Sequence, residues 1–267
     1  MALHIMPKRG EPEPPPGRAV TPVLVITGGG AGIGAATARL GAGRGYAVAL
    51  SYRAGREAAE AVVADIIAAG GAAMAMQADA GDEAATSAFF AAVDRQFGPV
   101  TALVNNAGIT GPVGRLEQVE AAMLERVLAT NVTGCFLALK QAILRMASDL
   151  GGPGGAVVNV SSRAAELGGS GEWVHYAASK GAVDSLTIGA ARELAPRGIR
   201  VNAVCPGLID TEIHAKSGQP DRLERMAPGI PMRRAGTAEE VARVILWLLS
   251  DEAAYVTGAL VPVSGGR

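Results

Sequence analysis

A tyrosine and a lysine four residues apart are the strongest candidates for chemistry in this sequence. Tyr176 and Lys180 begin and end the motif YAASK, at the start of a segment predicted to be helical, so their side chains share one helix face. A free tyrosine has a pKa of about 10, and a neighbouring ammonium group lowers it by favouring the phenolate. Such a phenol can give a proton to a carbonyl oxygen or take one from an alcohol. This spacing also arises by chance, so the pair needs support from its surroundings.

Polar residues elsewhere in the chain provide that support. Ser161 and Ser162 stand at the carboxyl end of a predicted strand, where a hydroxyl could orient a substrate oxygen and stabilise its developing charge. Asn131 lies inside a predicted helix, either as a hydrogen-bonded core residue or as the anchor of a water near Lys180. Two further residues before Tyr176, Trp173 and His175, and also His214, are candidates to line a substrate pocket or are ordinary loop residues.

A glycine-rich turn indicates a nucleotide site. The segment TGGGAGIG at 27–34 follows a predicted strand and leads into a predicted helix. In that position the backbone can approach a pyrophosphate, and the free amides and dipole of the helix N-terminus stabilise its charge. The predicted contacts are Gly28, Gly30, Gly32, Ile33 and Gly34.

The end of the second predicted strand indicates which dinucleotide is bound. An acidic residue there would bind the 2′-hydroxyl of NAD, but the segment at 50–53 reads LSYR. Arg53, helped by the Ser51 hydroxyl, can pair with a 2′-phosphate, which favours NADP and leaves NAD possible. The alternative is that Arg53 is a solvated surface charge. Asp79, just after the third strand, is a candidate acceptor for the adenine amino group.

Taken together, these motifs resemble the short-chain dehydrogenase/reductase family. The matching segments are TGGGAGIG at 27–34, NNAG at 105–108, Asn131, VNVSS at 157–161 with Ser162, YAASK at 176–180, Pro206-Gly207, VTG at 256–258 and SGG at 264–266. The resemblance covers essentially residues 20–267. The region 171–232 further resembles bacterial sugar-dehydrogenase-like and uncharacterised oxidoreductases of this family, which does not identify a substrate.

The resemblance implies a role for each matching residue. It makes Tyr176 the acid/base, Lys180 the residue that binds the nicotinamide ribose and lowers the tyrosine pKa, Ser162 the donor to the substrate oxygen, and Asn131 the keeper of a proton relay. It adds these cofactor contacts: Asn105, Ala107, Gly108, Pro206, Gly207, Ile209 and Thr211. Two departures matter. The serine-to-tyrosine spacing is one residue longer than in many members, which keeps Ser161 as a rival, and Ala31 stands where many NADP-binding relatives carry a basic residue.

Short apolar runs alternate with helical patterns along the chain. Runs apolar on both faces are typical of parallel strands covered by helices. The predicted strands are 23–26, 47–50, 73–76, 102–104, 156–160, 200–204 and 260–263, and the predicted helices are 34–42, 57–69, 83–97, 117–150 in one or two pieces, 176–194 and 238–249. The alternation predicts an α/β Rossmann fold, a doubly wound seven-stranded parallel sheet with helices on both faces.

The domain organisation follows from this pattern. Residues 21–267 are predicted to form a single catalytic domain, preceded by a flexible Pro-rich extension over 1–20. Two long connections, 161–175 and 208–237, follow strand ends, where such sheets bind ligands. The second is the candidate for a lid over the substrate.

The composition and net charge of the chain limit the classes of binding partner that are expected. The 267 residues carry a net charge of −1, so neither nucleic acid nor an anionic membrane is an expected partner. No segment is expected to reach transmembrane length, no metal site is expected, and the two cysteines are expected to be buried in a cytoplasmic protein. A homo-oligomer, tetramer or dimer, is expected by analogy with relatives that pair through the helices at 117–150 and 176–194.

The leading hypothesis is therefore an NAD(P)(H)-dependent oxidoreductase, with NADP favoured, that acts on a small alcohol or carbonyl compound such as a sugar or polyol. One alternative is a 3-oxoacyl thioester (acyl-carrier-protein) reductase, for which Arg222, Arg225, Arg233 and Arg234 could form a basic docking patch. The alternative outside enzymes is a cofactor-binding regulatory protein without catalysis, which the intact Ser, Tyr, Lys and Asn set disfavours.

Overall fold

Parallel strands form the centre of the fold. A computed structural model describes residues 21–212 and 218–267. The described strands are β1 (Val23–Thr27), β2 (Ala47–Tyr52), β3 (Ala73–Gln77), β4 (Ala102–Asn105), β5 (Gly155–Val160), β6 (Ile199–Pro206), β7 (Ile209–Asp210), β8 (Gly236–Thr237) and β9 (Leu260–Val263). Seven of them form one sheet in the order β3-β2-β1-β4-β5-β6-β9, with every neighbouring pair parallel. The predicted seven-stranded doubly wound sheet is confirmed.

Helices connect the strands and cover both faces of the sheet. The described α-helices are α1 (Gly32–Ala42), α2 (Arg56–Ala68), α3 (Glu83–Phe97), α4 (Ala121–Leu128), α5 (Gly134–Met146), α6 (Ala164–Leu167), α7 (Val174–Leu194), α8 (Arg222–Met226) and α9 (Ala238–Leu249). Successive strand residues point to opposite faces. Leu24 and Ile26 therefore pack with α1, α2 and α9, whereas Val23 and Val25 pack with α3, α5 and α7.

The structure differs from the predicted elements mainly in the 117–150 segment and in the two long connections. The predicted helix over 117–150 is two helices, α4 and α5, joined by a π-helical turn at Ala129–Thr133. The connection over 161–175 contains α6, and the one over 208–237 contains α8 and the two-stranded pair β7–β8. The expectations for residues 1–20 and for His214 concern residues outside the described ranges.

One long apolar helical segment corrects an expectation from the sequence. The stretch Ala121–Met146, which joins α4 and α5 through the π-helical turn, is long and apolar enough to cross a membrane by length and composition. In the structure α5 packs against β4 and α3, so the segment is a core helix of the α/β fold.

Candidate active site

A cavity of about 340 Å³ lies where β1, β4, β5 and β6 end. The sheet order reverses between β1 and β4, and the crevice at such a switch point is where open α/β sheets bind ligands. The predicted site residues that line the cavity are Gly28, Gly32, Ile33, Ala107, Gly108, Ser162, Tyr176, Lys180, Pro206, Gly207, Ile209 and Thr211. The predicted site residues that do not line it are Gly30, Gly34, Ser51, Arg53, Asp79, Asn105 and Asn131.

The glycine-rich turn has the geometry that a pyrophosphate site needs. Gly28 has a φ of +66°, which disfavours any side chain, and a Cβ atom there would lie 3.0 Å from the Ala107 Cα. A Cβ on Gly34 would lie 2.6 Å from the Gly28 carbonyl oxygen, so only glycine lets α1 approach the turn this closely. The N-cap of α1, Ala31, offers no side-chain hydrogen bond, which leaves the first helical amides for a ligand. The turn therefore fits a dinucleotide phosphate.

Asn106, the second residue of NNAG, holds this turn in place. Its side-chain amide donates to the carbonyl oxygens of Gly28 (2.8 Å) and Thr27 (3.1 Å), and its backbone amide donates to the Thr27 hydroxyl. Asn105, which had been selected, is buried and donates to Asn159 Oδ1 at 3.0 Å. The second asparagine of NNAG faces the cavity because alternate residues at a strand end point to opposite sides.

The predicted adenosine contacts lie at the ends of β2 and β3, outside the cavity. Ser51 is buried, and its carbonyl oxygen accepts a hydrogen bond from Gly29 at 3.0 Å. Arg53 is exposed, and its guanidinium has no hydrogen-bond or ion-pair partner within residues 21–212 and 218–267. Asp79 Oδ1 accepts from the Gly81 amide at 3.0 Å. A cation that is free to pair therefore stands where a dinucleotide's ribose is expected.

The hydroxyl groups of the two serines point to different partners. The Ser162 hydroxyl accepts from the Ala164 amide at 3.0 Å, and the Ser162 side chain lowers the pKa of the Tyr176 phenol. The buried Ser161 hydroxyl donates to the Lys180 carbonyl oxygen at 3.3 Å. Ser162 is thus the serine that faces the phenol.

Burial changes the pKa of both Tyr176 and Lys180. Burial raises the pKa of Tyr176, and the Ser162 hydrogen bond is the interaction that lowers it. Lys180 Nζ lies 5.7 Å from the phenol ring centroid and donates to the Val160 carbonyl oxygen at 2.6 Å. Burial lowers the pKa of Lys180 itself to about 8. The phenol is therefore protonated at neutral pH.

Asn131 joins two parts of the site. Its side chain accepts from the Ile109 amide and donates to the Ile109 carbonyl oxygen and the Ser179 hydroxyl, each at 2.9 Å. The π-helical turn aims this side chain inward, where it fastens the segment after β4 to α7. A second cavity of about 10 Å³ lies beside Asn131 and Lys180, a volume that fits about one water molecule.

Trp173 and His175, just before Tyr176, both contact backbone carbonyl oxygens of the segment after β4. Trp173 lines the cavity, and its indole N–H donates to the Gly111 carbonyl oxygen at 3.1 Å. The His175 ring is buried with Nε2 2.8 Å from the Thr110 carbonyl oxygen, and it does not line the cavity. Both side chains fasten the segment after β4 to the start of α7.

The site defines a class of protein. A turn built for a pyrophosphate opens into the same cavity as a phenol, a hydroxyl and an ammonium group. Among the described residues no cluster of His, Cys, Asp or Glu could hold a metal ion. The fold and the site are those of an NAD(P)-dependent oxidoreductase.

Comparison with known proteins identifies the family. Residues 28–267 match the family model described as enoyl-(acyl carrier protein) reductase. The chain is 52% identical to the uncharacterized oxidoreductase YgfF of Escherichia coli (strain K12), over 92% of this chain and 99% of the relative. It is 39% identical to the 3-oxoacyl-[acyl-carrier-protein] reductase FabG of Staphylococcus aureus (strain Mu50 / ATCC 700699), over 92% and 98%.

A solved structure agrees with these matches. The short-chain dehydrogenase/reductase from Serratia marcescens BCRC 10948 is 36% identical, with a TM-score of 0.85 over 92% of this chain and 97% of that one. The chain belongs to the short-chain dehydrogenase/reductase family.

Proposed function

We propose that this protein is an NADP(H)-dependent oxidoreductase that interconverts a small alcohol and its carbonyl compound, with Tyr176 as the proton-transfer residue. The observation that carries the proposal is that Ser162, Tyr176 and Lys180 line one cavity, where the Ser162 side chain lowers the pKa of the Tyr176 phenol. A neutral phenol paired with a hydroxyl is suited to bind one carbonyl oxygen by two hydrogen bonds. Sugars and polyols are among the substrate candidates.

In the reducing direction, Tyr176 donates its proton to the substrate oxygen while Ser162 donates a hydrogen bond to the same oxygen. The raised pKa of Tyr176 supports this assignment, because the phenol carries its proton at neutral pH and loses it to a stronger base. The bound nicotinamide supplies or accepts the hydride. In the oxidising direction the phenolate takes the proton from the alcohol.

Lys180 and Asn131 are suited to return a proton to Tyr176 after each turnover. A Lys180 pKa of about 8 lets this ammonium group exchange a proton near neutral pH. The 10 Å³ cavity bordered by both residues offers room for a water in the relay. Asn131 keeps that cavity in place through its bonds to Ile109 and Ser179.

The preference for NADP rests on Arg53. The side chain is exposed at the carboxyl end of β2 and is free to pair with a 2′-phosphate. The second candidate function, reduction of a 3-oxoacyl thioester, is favoured by the likeness to FabG. Its expected docking patch is weakened, because Arg222 is buried and Arg234 is paired with Glu240.

The test is Tyr176→Phe, assayed with NADPH and a panel of aldehydes and ketones. The variant is expected to lose kcat by about 100-fold or more, because it lacks the proton donor, and to bind NADPH as tightly as the wild type in a fluorescence titration. Tyr255→Phe is the control, since Tyr255 is fully exposed. Unchanged turnover in Tyr176→Phe would overturn the mechanism, and absence of NADPH and NADH binding would overturn the proposed function.

A further inference from the structure

Five charged side chains line the cavity besides Lys180; Arg163 and Glu212 have interactions of their own, which leaves three. They are Glu172, Arg222 and Arg267, which belong to three separate parts of the chain. A charged group in a cavity loses hydration, and that loss must be offset by a partner. The pairing of these three groups therefore indicates what the cavity binds.

Glu172 and Arg222 form an ion pair with two hydrogen bonds, which leaves the Arg222 Nε without a partner among the residues that the structure describes. The two terminal nitrogens of Arg222 donate to the two oxygens of Glu172 at 2.5 and 2.7 Å. The guanidinium lies on the Trp173 ring, with Cζ 4.4 Å from the centroid, and the side chain is 94% buried. Its Nε is buried and has no hydrogen-bond partner within the described residues. A buried donor without a partner is uncommon in native proteins.

Arg267 is the unpaired cation of this wall. Its main-chain oxygen accepts from Arg163 Nε (2.8 Å) and the Ser264 hydroxyl (2.9 Å), which fixes the backbone. Its half-buried guanidinium has no hydrogen-bond or ion-pair partner in residues 21–212 and 218–267. Burial and the nearby Arg222 charge lower the pKa of Arg267, whereas Glu172 raises it. A desolvated cation beside another cation is stabilised by an added anion.

The remaining charges of the cavity wall are already engaged. Arg163 pairs with Glu166 at 2.7 Å, and Lys180 donates to the Val160 carbonyl oxygen. Glu212, the other carboxylate on the wall, has an interaction of its own. The cavity therefore presents the Arg267 guanidinium as its unengaged charged donor within the described part of the chain.

We propose that Arg267 binds an oxyanion group of the substrate, a carboxylate or a phosphate, while Ser162 and Tyr176 hold its carbonyl oxygen. This rests on the proposed function, since it assigns the substrate class of the same site. A planar guanidinium binds such groups through two parallel hydrogen bonds. Glu172 is a positioning residue that holds Arg222 against Trp173 and balances its charge.

The test uses two probes that differ in charge, 4-carboxybenzaldehyde and its methyl ester. The kcat/KM of each is measured with NADPH, and the affinity of each is measured by calorimetry in the presence of NADP⁺. Wild type should favour the carboxylate about tenfold or more, and Arg267→Ala should lose that preference with less than a twofold change for the ester. Glu172→Gln should strengthen carboxylate binding, because no carboxylate then balances the Arg222 charge. Arg44→Ala, an exposed change at the end of α1, is the control.

The outcomes separate the two proposals. Equal effects of Arg267→Ala on both probes, or no preference in wild type, overturn the oxyanion assignment while reduction of both probes leaves the proposed function intact. Carboxylate binding that depends on Arg267, without reduction of any carbonyl compound, supports the oxyanion assignment and counts against the proposed function. Wild-type levels of NADPH binding in Arg267→Ala show that the variant is folded.

Discussion

At the scale of single residues, we propose that Arg53 sets the cofactor preference of the site. The guanidinium is exposed beyond the end of β2, and no carboxylate occupies LSYR at 50–53. A cation at this point attracts a 2′-phosphate, whereas a carboxylate would repel it and accept from a 2′-hydroxyl. The strand end therefore carries a charge that a single substitution can reverse.

Arg53→Asp should exchange the cofactor preference. We expect the Kd for NADPH to rise by about tenfold or more, through loss of a charge-assisted pair, and the Kd for NADH to fall or stay unchanged. Fluorescence titrations of both cofactors measure this. Arg56→Asp, a change at another exposed arginine that is paired with Glu60, is the control. A wild-type protein that binds NADH more tightly than NADPH would contradict the prediction and leave the Tyr176 mechanism standing.

Some residues of the site were predictable from the sequence because backbone geometry restricts them. The glycines of the turn are an example, since Gly28 has a positive φ and Gly34 has no room for a Cβ. Other assignments depend on side-chain direction, which a motif does not give. The roles of Asn105 and Asn106 in the turn differ for this reason.

At the scale of helices and strands, buried patterns were predictable and short irregular pieces were not. The apolar strands of the central sheet are buried on both faces, which leaves a clear signal. β7 and β8 have two residues each, which is too short for a periodic pattern, so the sequence does not predict their pairing. The π-helical turn at Ala129–Thr133 keeps a helical sequence pattern and differs only in its hydrogen bonds.

Arg200 closes the C-terminal end of α9. Its two terminal nitrogens donate to the carbonyl oxygens of Leu248 (2.7 Å), Leu249 (3.3 Å), Ser250 (3.0 Å) and Val256 (3.4 Å). The last carbonyl groups of a helix have no partner within the helix, and a cation also complements the helix dipole there. One side chain of β6 thus joins α9 to the segment that leads into β9.

Arg200→Ala should destabilise the fold without changing the chemistry. We expect the free energy of unfolding to fall by about 2–3 kcal/mol, since several carbonyl groups lose a charged donor. Urea unfolding followed by circular dichroism measures it. Arg243→Ala, an exposed change on α9, is the control and should stay within about 0.5 kcal/mol of wild type. An equal loss in both variants would show that the bonds of Arg200 do not matter.

At the scale of the whole molecule, one surface is more apolar than its surroundings. We define the apolar face as Leu124, Leu128, Phe136, Leu144 and Ile188, exposed side chains of α4, α5 and α7. α4 and α7 contact each other, so this face is shared by the helices expected from sequence to pair subunits. Exposed apolar patches of this kind mark interaction sites. We propose that a second copy of the chain covers this face in a homo-oligomer.

Charges placed on this face should separate the subunits. Phe136 and Leu144 are 51% and 54% exposed. The double variant Phe136→Glu, Leu144→Glu therefore leaves the core of the subunit intact. In an oligomer, the two new carboxylates of each subunit would be buried at the interface without a partner, which disfavours association. Size-exclusion chromatography with light scattering should give a tetramer or dimer for wild type and a monomer for the variant. Ile67→Glu, at a side chain 56% exposed on α2, is the control and should keep the wild-type mass. A monomeric wild type would exclude this use of the face, and the apolar residues would then need another partner to explain their exposure.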